Sequence, residues 1–167
     1  GLSPVAESVR AMRSRLYLMR PDDFYKTLLL TSPGTLEGKS FIVSNLAAVL
    51  ASGGHRVIVV DADMRRPTQH EIFDRPNIMG LSDILSHRSF QGADAAAPIP
   101  LQETEFDNLF LLSSGRPPTD PAALLTSTRF PALLQRLEDQ GDIILVDSPP
   151  ILTAPDATII ATHVEGT

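Results

Sequence analysis

The sequence predicts an α/β fold: a doubly wound, mostly parallel sheet flanked by helices. Three features of the chain point to it. Short continuous apolar runs at residues 26–31 (KTLLLT), 55–60 (HRVIVV) and 142–146 (DIILV) have the length and character of strands buried on both faces. Segments with helical spacing separate these runs, which is the alternation of a parallel sheet with crossover helices. The length of 167 residues suits one domain with its own core, and no internal repeat divides it.

Taken in order, Ser3 and Pro4 read as the cap and first position of an opening helix, where the N–H that proline lacks has no helical partner to lose. Val5, Val9, Met12, Leu16 and Met19 then recur at a four-three spacing along one apolar face, and Pro21 ends the helix. Residues 26–31 form the first strand. A loop runs through Gly38, and a helix begins near Ser40 with Gly53-Gly54 as its stop. Residues 55–60, reached through that helix, are expected to run parallel to the first strand in a right-handed βαβ unit. The middle is less regular, with short helices at residues 69–73 and 82–87 and an Ala- and Pro-rich surface loop at 91–100. Residues 108–112 read as a strand, 121–125 as a helical turn and 129–140 as a helix stopped by Gly141. The apolar strand at 142–146 is closed by Pro149 and Pro150.

Composition excludes several function classes. No apolar run approaches the roughly 18 residues of a membrane span, and the N-terminus lacks the apolar core of a signal peptide. A net charge of -6 argues against broad binding to nucleic acid, which needs a concentrated basic face. The absence of cysteine removes disulfide and thiolate chemistry and fits the cytoplasm. The histidines show no metal-ligand spacing, no Gly-x-Ser-x-Gly elbow is present, and the aromatic residues form no stripe for stacking bases.

Gly38-Lys39-Ser40 stands where the first strand hands over to a helix, so backbone N–H groups and the helix dipole meet an anion there. Lys39 adds a point charge for β and γ phosphates, and the Ser40 hydroxyl can bind Mg²⁺. The full pattern G-x-x-x-x-G-K-[ST] is not met, because Pro33 stands at the place of the first glycine and Gly34 comes one position late. A bare Gly-Lys-Ser also fits an exposed loop with a solvated lysine. Two further segments weigh against that. Residues 57–60 run into Asp61-Ala62-Asp63, and residues 143–146 into Asp147-Ser148-Pro149. Each puts a carboxylate at the C-terminal end of a buried strand, the edge where open α/β sheets bind ligands. Asp61 and Asp63, two apart, share one side if the strand continues, and all three can converge on a metal beside Ser40. Their bland readings are a turn for Asp61 and Asp63 and a cap for Asp147. Together the three segments predict a P-loop domain that binds ATP and Mg²⁺.

In these segments the chain resembles the bacterial tyrosine kinases, or BY-kinases, of capsular and exopolysaccharide assembly. The similarity spans nearly the whole chain: TSPGTLEGKS as the Walker A loop, VIVVDADMRRPTQHEIF as the A′ motif, IILVDSPP as Walker B, and GRPPTDPAALL as the Pro-Pro segment between them. In the helix within residues 1–20, Glu7, Arg10 and Arg13 reproduce the E-x-x-R-x-x-R motif through which these kinases assemble into rings. As a solvated helix face alone, Glu7 and Arg10 would be an i,i+3 pair worth about 0.2 to 0.5 kcal/mol.

The resemblance implies an ATP-dependent protein-tyrosine autokinase that regulates polysaccharide polymerisation and export. It would transfer the γ-phosphoryl group to tyrosines in the C-terminal tail of a neighbouring subunit. Thr35, Leu36, Glu37, Gly38, Lys39, Ser40 and Phe41 would cradle the nucleotide. Ser40, Asp63 and Asp147 would hold Mg²⁺. Lys39, Asp61 and Asp63 would be catalytic, with Asp61 as candidate base, although spacing leaves open which of the two aspartates takes the phenol proton. The implied partners are copies of the chain in a ring such as an octamer, a transmembrane polysaccharide co-polymerase or activator domain on the same or a separate chain, and a cognate tyrosine phosphatase. No nucleic acid is among them. The implied location is the cytoplasmic face of the bacterial inner (plasma) membrane.

The chain departs from the family pattern in three places. Thr35 and Leu36 replace the usual Pro-Gly before Glu-Gly-Lys-Ser, which predicts weaker nucleotide affinity. The Pro-Pro segment is one residue longer, and Ala123 replaces a glutamate. The chain stops at Thr167, where the family continues with more sheet and the tyrosine tail. Two other readings compete. A MinD- or ParA-like ATPase would carry a signature lysine at the place of Gly34, and a catalytically weak, nucleotide-sensing scaffold of a polysaccharide export complex would tolerate the altered loop.

Overall fold

The computed structural model describes residues 4–19, 26–32, 38–86, 97–152 and 154–164. Along the chain these form α1 (Pro4–Met19), β1 (Thr27–Leu30), α2 (Lys39–Ser52), β2 (Val57–Asp61), α3 (Gln69–Ile72), α4 (Leu81–Ser86), β3 (Gln102–Glu103), β4 (Leu109–Leu112), α5 (Pro121–Thr126), α6 (Arg129–Gln140), β5 (Ile143–Asp147) and α7 (Asp156–Ala161).

The strands make one sheet in the order β1-β5-β2-β4-β3. β1, β5, β2 and β4 are parallel, and only the two-residue β3 runs antiparallel, along β4. The first two apolar runs are therefore parallel, as the crossover helix predicts, with β5 inserted between them. β3 and α7 are the elements without an earlier expectation. Gln102-Glu103 is too short and polar to read as a strand, and α7 follows two prolines with little periodicity of its own.

Alternate residues of each central strand serve opposite faces. Val57 and Val59 of β2 pack with Val43, Leu46 and Leu50 of α2, and with Val9 of α1. Ile58 and Val60 pack on the other side with Phe130, Leu134 and Leu137 of α6 and Ile160 of α7. A period of two is thus present in a run where every residue is apolar, because helices cover both faces. Each such buried side chain contributes roughly 1.5 to 3 kcal/mol against leaving it in water. In α1, Val9 is buried and Met12 packs against the same layer, which agrees with the predicted stripe. Ser3 and the side chains of Val5, Leu16 and Met19 lie outside the described residues, as does most of the predicted loop at 91–100.

Two glycines are required by the backbone. Gly38, at the N-terminus of α2, has φ 100, a left-handed conformation that costs a side-chain-bearing residue energy. Gly80 lets the start of α4 approach the end of β4: a Cβ there would lie 2.0 Å from the Ser113 carbonyl oxygen. Among the described residues no helix is long and apolar enough to cross a membrane.

Candidate active site

The C-terminal ends of β1, β5 and β2 lie side by side, with Leu30 and Asp61 each in register with Asp147. That register puts two carboxylates at matched ends of neighbouring strands, beside the N-terminus of α2. Asp147 is fully buried, and the Lys39 ammonium donates to its Oδ1. The Gln69 side-chain amide donates to Asp147 Oδ2 at 2.9 Å and to the Ser40 backbone carbonyl at 2.8 Å. Lys39, Ser40 and Asp147 are thus joined in one network.

Asp61 is also fully buried. Its Oδ1 accepts the N–H of Asp63 at 3.1 Å, and its Oδ2 accepts those of Thr68 and Gln69, each at 3.1 Å. The turn role of such an aspartate is therefore present, since the carboxylate shapes the chain after β2 and anchors the start of α3. Burial nevertheless raises its pKa from 3.8 to about 8, with the charges of Asp147 and Asp63 adding and the N–H groups of Gln69 and Thr68 opposing. Asp63, 9% exposed, accepts the Arg66 N–H at 3.0 Å. Its pKa is raised too, by burial first, while the Arg66 N–H and the Lys39 charge pull it down.

The expected site residues fall into four sets. Lys39, Ser40, Asp61, Asp63 and Asp147 converge at one sheet edge, next to Gly38. Phe41, on the first turn of α2, is 53% exposed. Thr35, Leu36 and Glu37 lie outside the described residues. On α1, Glu7 and Arg10 are exposed and Arg13 is partly exposed.

Two further residues belong to this region. Gln69 is fully buried and touches all three motif segments. Its only signal in the sequence was membership of the A′ stretch. Arg65 donates through Nε and Nη2 to the two oxygens of Asp156, at 3.3 and 3.1 Å, tying the A′ loop to the buried start of α7.

The donor set suits a small hard cation. Three carboxylates lie near one lysine, and the upward shifts of Asp61 and Asp63 reflect burial first and then the charges of the neighbouring carboxylates. Among the described residues no group of three His, Cys, Asp or Glu side chains could hold a metal unaided. A cation here would complete its shell with Ser40, water or phosphate oxygens, the habit of Mg²⁺.

No protein-family model matches the chain. It is 35% identical over 159 residues to the putative tyrosine-protein kinase CapB of Staphylococcus aureus, an alignment that covers 95% of this chain and 67% of the relative. It is 36% identical over 158 residues to the tyrosine-protein kinase wzc of Salmonella typhi, covering 95% of this chain and 21% of that much longer protein. Among solved structures, the kinase domain of Escherichia coli tyrosine kinase ETK superposes with a TM-score of 0.83 at 31% identity, over 95% of this chain and 60% of the other. The cell division ATPase MinD of Pyrococcus furiosus shares the fold, with a TM-score of 0.67 at 22% identity, over 85% of this chain and 57% of that one. The converging aspartates and the identity over nearly the whole chain place the protein in one family: it belongs to the bacterial tyrosine kinases, the BY-kinases.

Proposed function

We propose that this kinase domain transfers the γ-phosphoryl group of ATP to tyrosines in the C-terminal tail of a neighbouring subunit, and so regulates capsular or exopolysaccharide polymerisation and export. The observation that carries the reading is the register of β2 and β5, which brings Asp61 and Asp147 together beside Lys39. Gly38, Lys39, Ser40 and Phe41, with Thr35, Leu36 and Glu37 before them, form the nucleotide cradle. Lys39 exchanges Asp147 for the phosphates and neutralises them. Ser40, Asp63 and Asp147 hold Mg²⁺, directly or through water. When bound, Mg²⁺ supplies charge neutralisation at the β and γ oxygens. Asp61 would take the phenol proton in its ionised form, which a cation bound beside it would favour over the protonated form that burial favours: its three N–H donors leave about one lone-pair position open, on Oδ1. Asp63, closer to solvent, helps place the acceptor.

Copies of the chain meet through the charged face of α1, where the Glu7 carboxylate lies on the same helix as the Arg10 and Arg13 cations, in a ring such as an octamer. ATP as phosphoryl donor puts the domain on the cytoplasmic face of the inner membrane, attached through a transmembrane co-polymerase or activator domain. Reversal of the modification calls for a tyrosine phosphatase.

The test is incubation with γ-labelled ATP, Mg²⁺ and a tyrosine-rich tail peptide. Phosphotyrosine is expected from the natural chain, and none from Lys39→Met or Asp61→Asn. If ATP and Mg²⁺ bind but no phosphotyrosine forms, the kinase reading fails and a nucleotide-sensing scaffold takes its place.

A further inference from the structure

We infer that Gln69 is a positioning residue, a brace that keeps Asp147 aimed into the site when Lys39 leaves it for the phosphates. The inference rests on the kinase reading above, in which Lys39 makes that move.

The orientation of the amide follows from chemistry. Both neighbours of the Gln69 nitrogen, the Ser40 carbonyl and the Asp147 carboxylate, are acceptors, so only the two-hydrogen end of the side chain fits between them. The backbone N–H of the same residue donates to Asp61. One residue therefore contacts the phosphate-binding helix α2, the A′ aspartate and the aspartate at the end of β5. The fully buried Asp147 is held at separate oxygens: Lys39 takes Oδ1 and Gln69 takes Oδ2. Once the ammonium departs, Oδ1 is released, while the hydrogen bond at Oδ2 still fixes the carboxylate plane. Without it, a carboxylate with no remaining cation could rotate away from Ser40 and Asp63.

The placement is costly, which argues against simple packing. Among the described residues Gln69 Oε1 is buried without a hydrogen-bond partner, as are the neighbouring Thr68 Oγ1 and His70 Nδ1. An apolar residue of similar length would fill the space with no orphaned oxygen. Buried polar atoms left unsatisfied concentrate where a site needs them.

The test compares Gln69→Met, which keeps length and removes both donors, with Gln69→Glu, which sets a carboxylate against Asp147. Binding of a fluorescent ATP analogue is titrated with and without Mg²⁺, alongside kcat, KM for ATP and the thermal midpoint. For Gln69→Met, affinity without Mg²⁺ and KM should stay within about twofold. The Mg²⁺ half-saturation should rise, and kcat fall, by roughly tenfold, the size of one hydrogen bond to a charged group. Gln69→Glu should lose more on both counts. An unchanged Mg²⁺ half-saturation, with only the thermal midpoint lowered, would overturn the inference and leave a structural staple. If Gln69→Met does not fold, Gln69→Asn retains the donors but cannot span both acceptors, and the same split should appear at smaller size; its absence is equally decisive. The Mg²⁺ titration of analogue binding does not depend on phosphoryl transfer, so failure of the kinase reading and failure of the brace give different results.

Discussion

Asp61 accepts three backbone N–H groups and lies buried beside Asp147 at the matched end of the next strand. Its pKa stands near 8 in the folded chain against 3.8 for an ordinary aspartate. The folded state therefore holds a proton that the unfolded chain has released. The stability from this group is fully present below the unfolded value and is lost as pH rises through the folded one. An asparagine at this position has no proton to exchange, so the stability of the natural chain relative to Asp61→Asn should fall between about pH 5 and pH 8. Urea midpoints of both proteins across that range check this, and a constant difference would refute it. Gly38 gives a second outcome. A Cβ added there would meet nothing among the described residues, so the cost of Gly38→Ala at φ 100 is conformational, about 1 to 2 kcal/mol, and should appear as a lower thermal midpoint and weaker ATP binding. Gly38, Lys39 and the three aspartates were legible in the sequence because each terminates or follows an apolar run. Gln69 was not, since its partners Ser40 and Asp147 lie 29 and 78 positions away and a lone glutamine has no pattern.

At the scale of elements, the Arg65 and Asp156 pair links the loop after β2 to α7. The two ends are unequal: Asp156 is fully buried, while the Arg65 side chain is 43% exposed. Deleting the arginine strands a carboxylate in the interior, whereas deleting the aspartate leaves a guanidinium that can reach water. Arg65→Ala should therefore cost about 2 kcal/mol or more, and Asp156→Ala about 1 kcal/mol or less after allowing for solvent screening. The double variant should recover part of the larger loss. Equal losses in urea unfolding would show that burial of the carboxylate is not what sets the cost. This link was hidden for the same reason that α7 was. A six-residue helix with one buried aspartate shows too few turns for a period, and the arginine that explains the aspartate is 91 residues earlier. The longer elements, α1, α2 and α6 and the three apolar strands, were readable because each repeats its own period or apolar run often enough.

Across the whole molecule, parallel strands and helices on both faces follow from continuous apolar runs, but the place of β5 between β1 and β2 does not. Either order would satisfy the apolar pattern of β2, which is buried on both sides in both cases. The order matters because it makes Asp147 the neighbour of both Leu30 and Asp61 and so assembles the site from three distant segments. Assembly of copies is the remaining step of the proposed function, and α1 keeps the side that packs on the fold apart from the charged side assigned to that step. Val9 is buried and Met12 packs against the layer formed by α2, while Glu7 and Arg10 face outward. Replacing both charged residues by alanine removes the pair of opposite charges that a neighbouring copy would read, yet leaves the contact that holds α1 in place. An isolated exposed pair contributes only about 0.2 to 1 kcal/mol within a chain, so the fold should barely change. Repeated at every interface of the proposed ring, loss of the same charges should dissociate it. The expected outcome for the Glu7→Ala, Arg10→Ala double variant is an unchanged thermal midpoint with a solution mass, measured by light scattering, that drops from several copies to one. A mass that stays at that of the natural chain would show that this face of α1 does not join the copies.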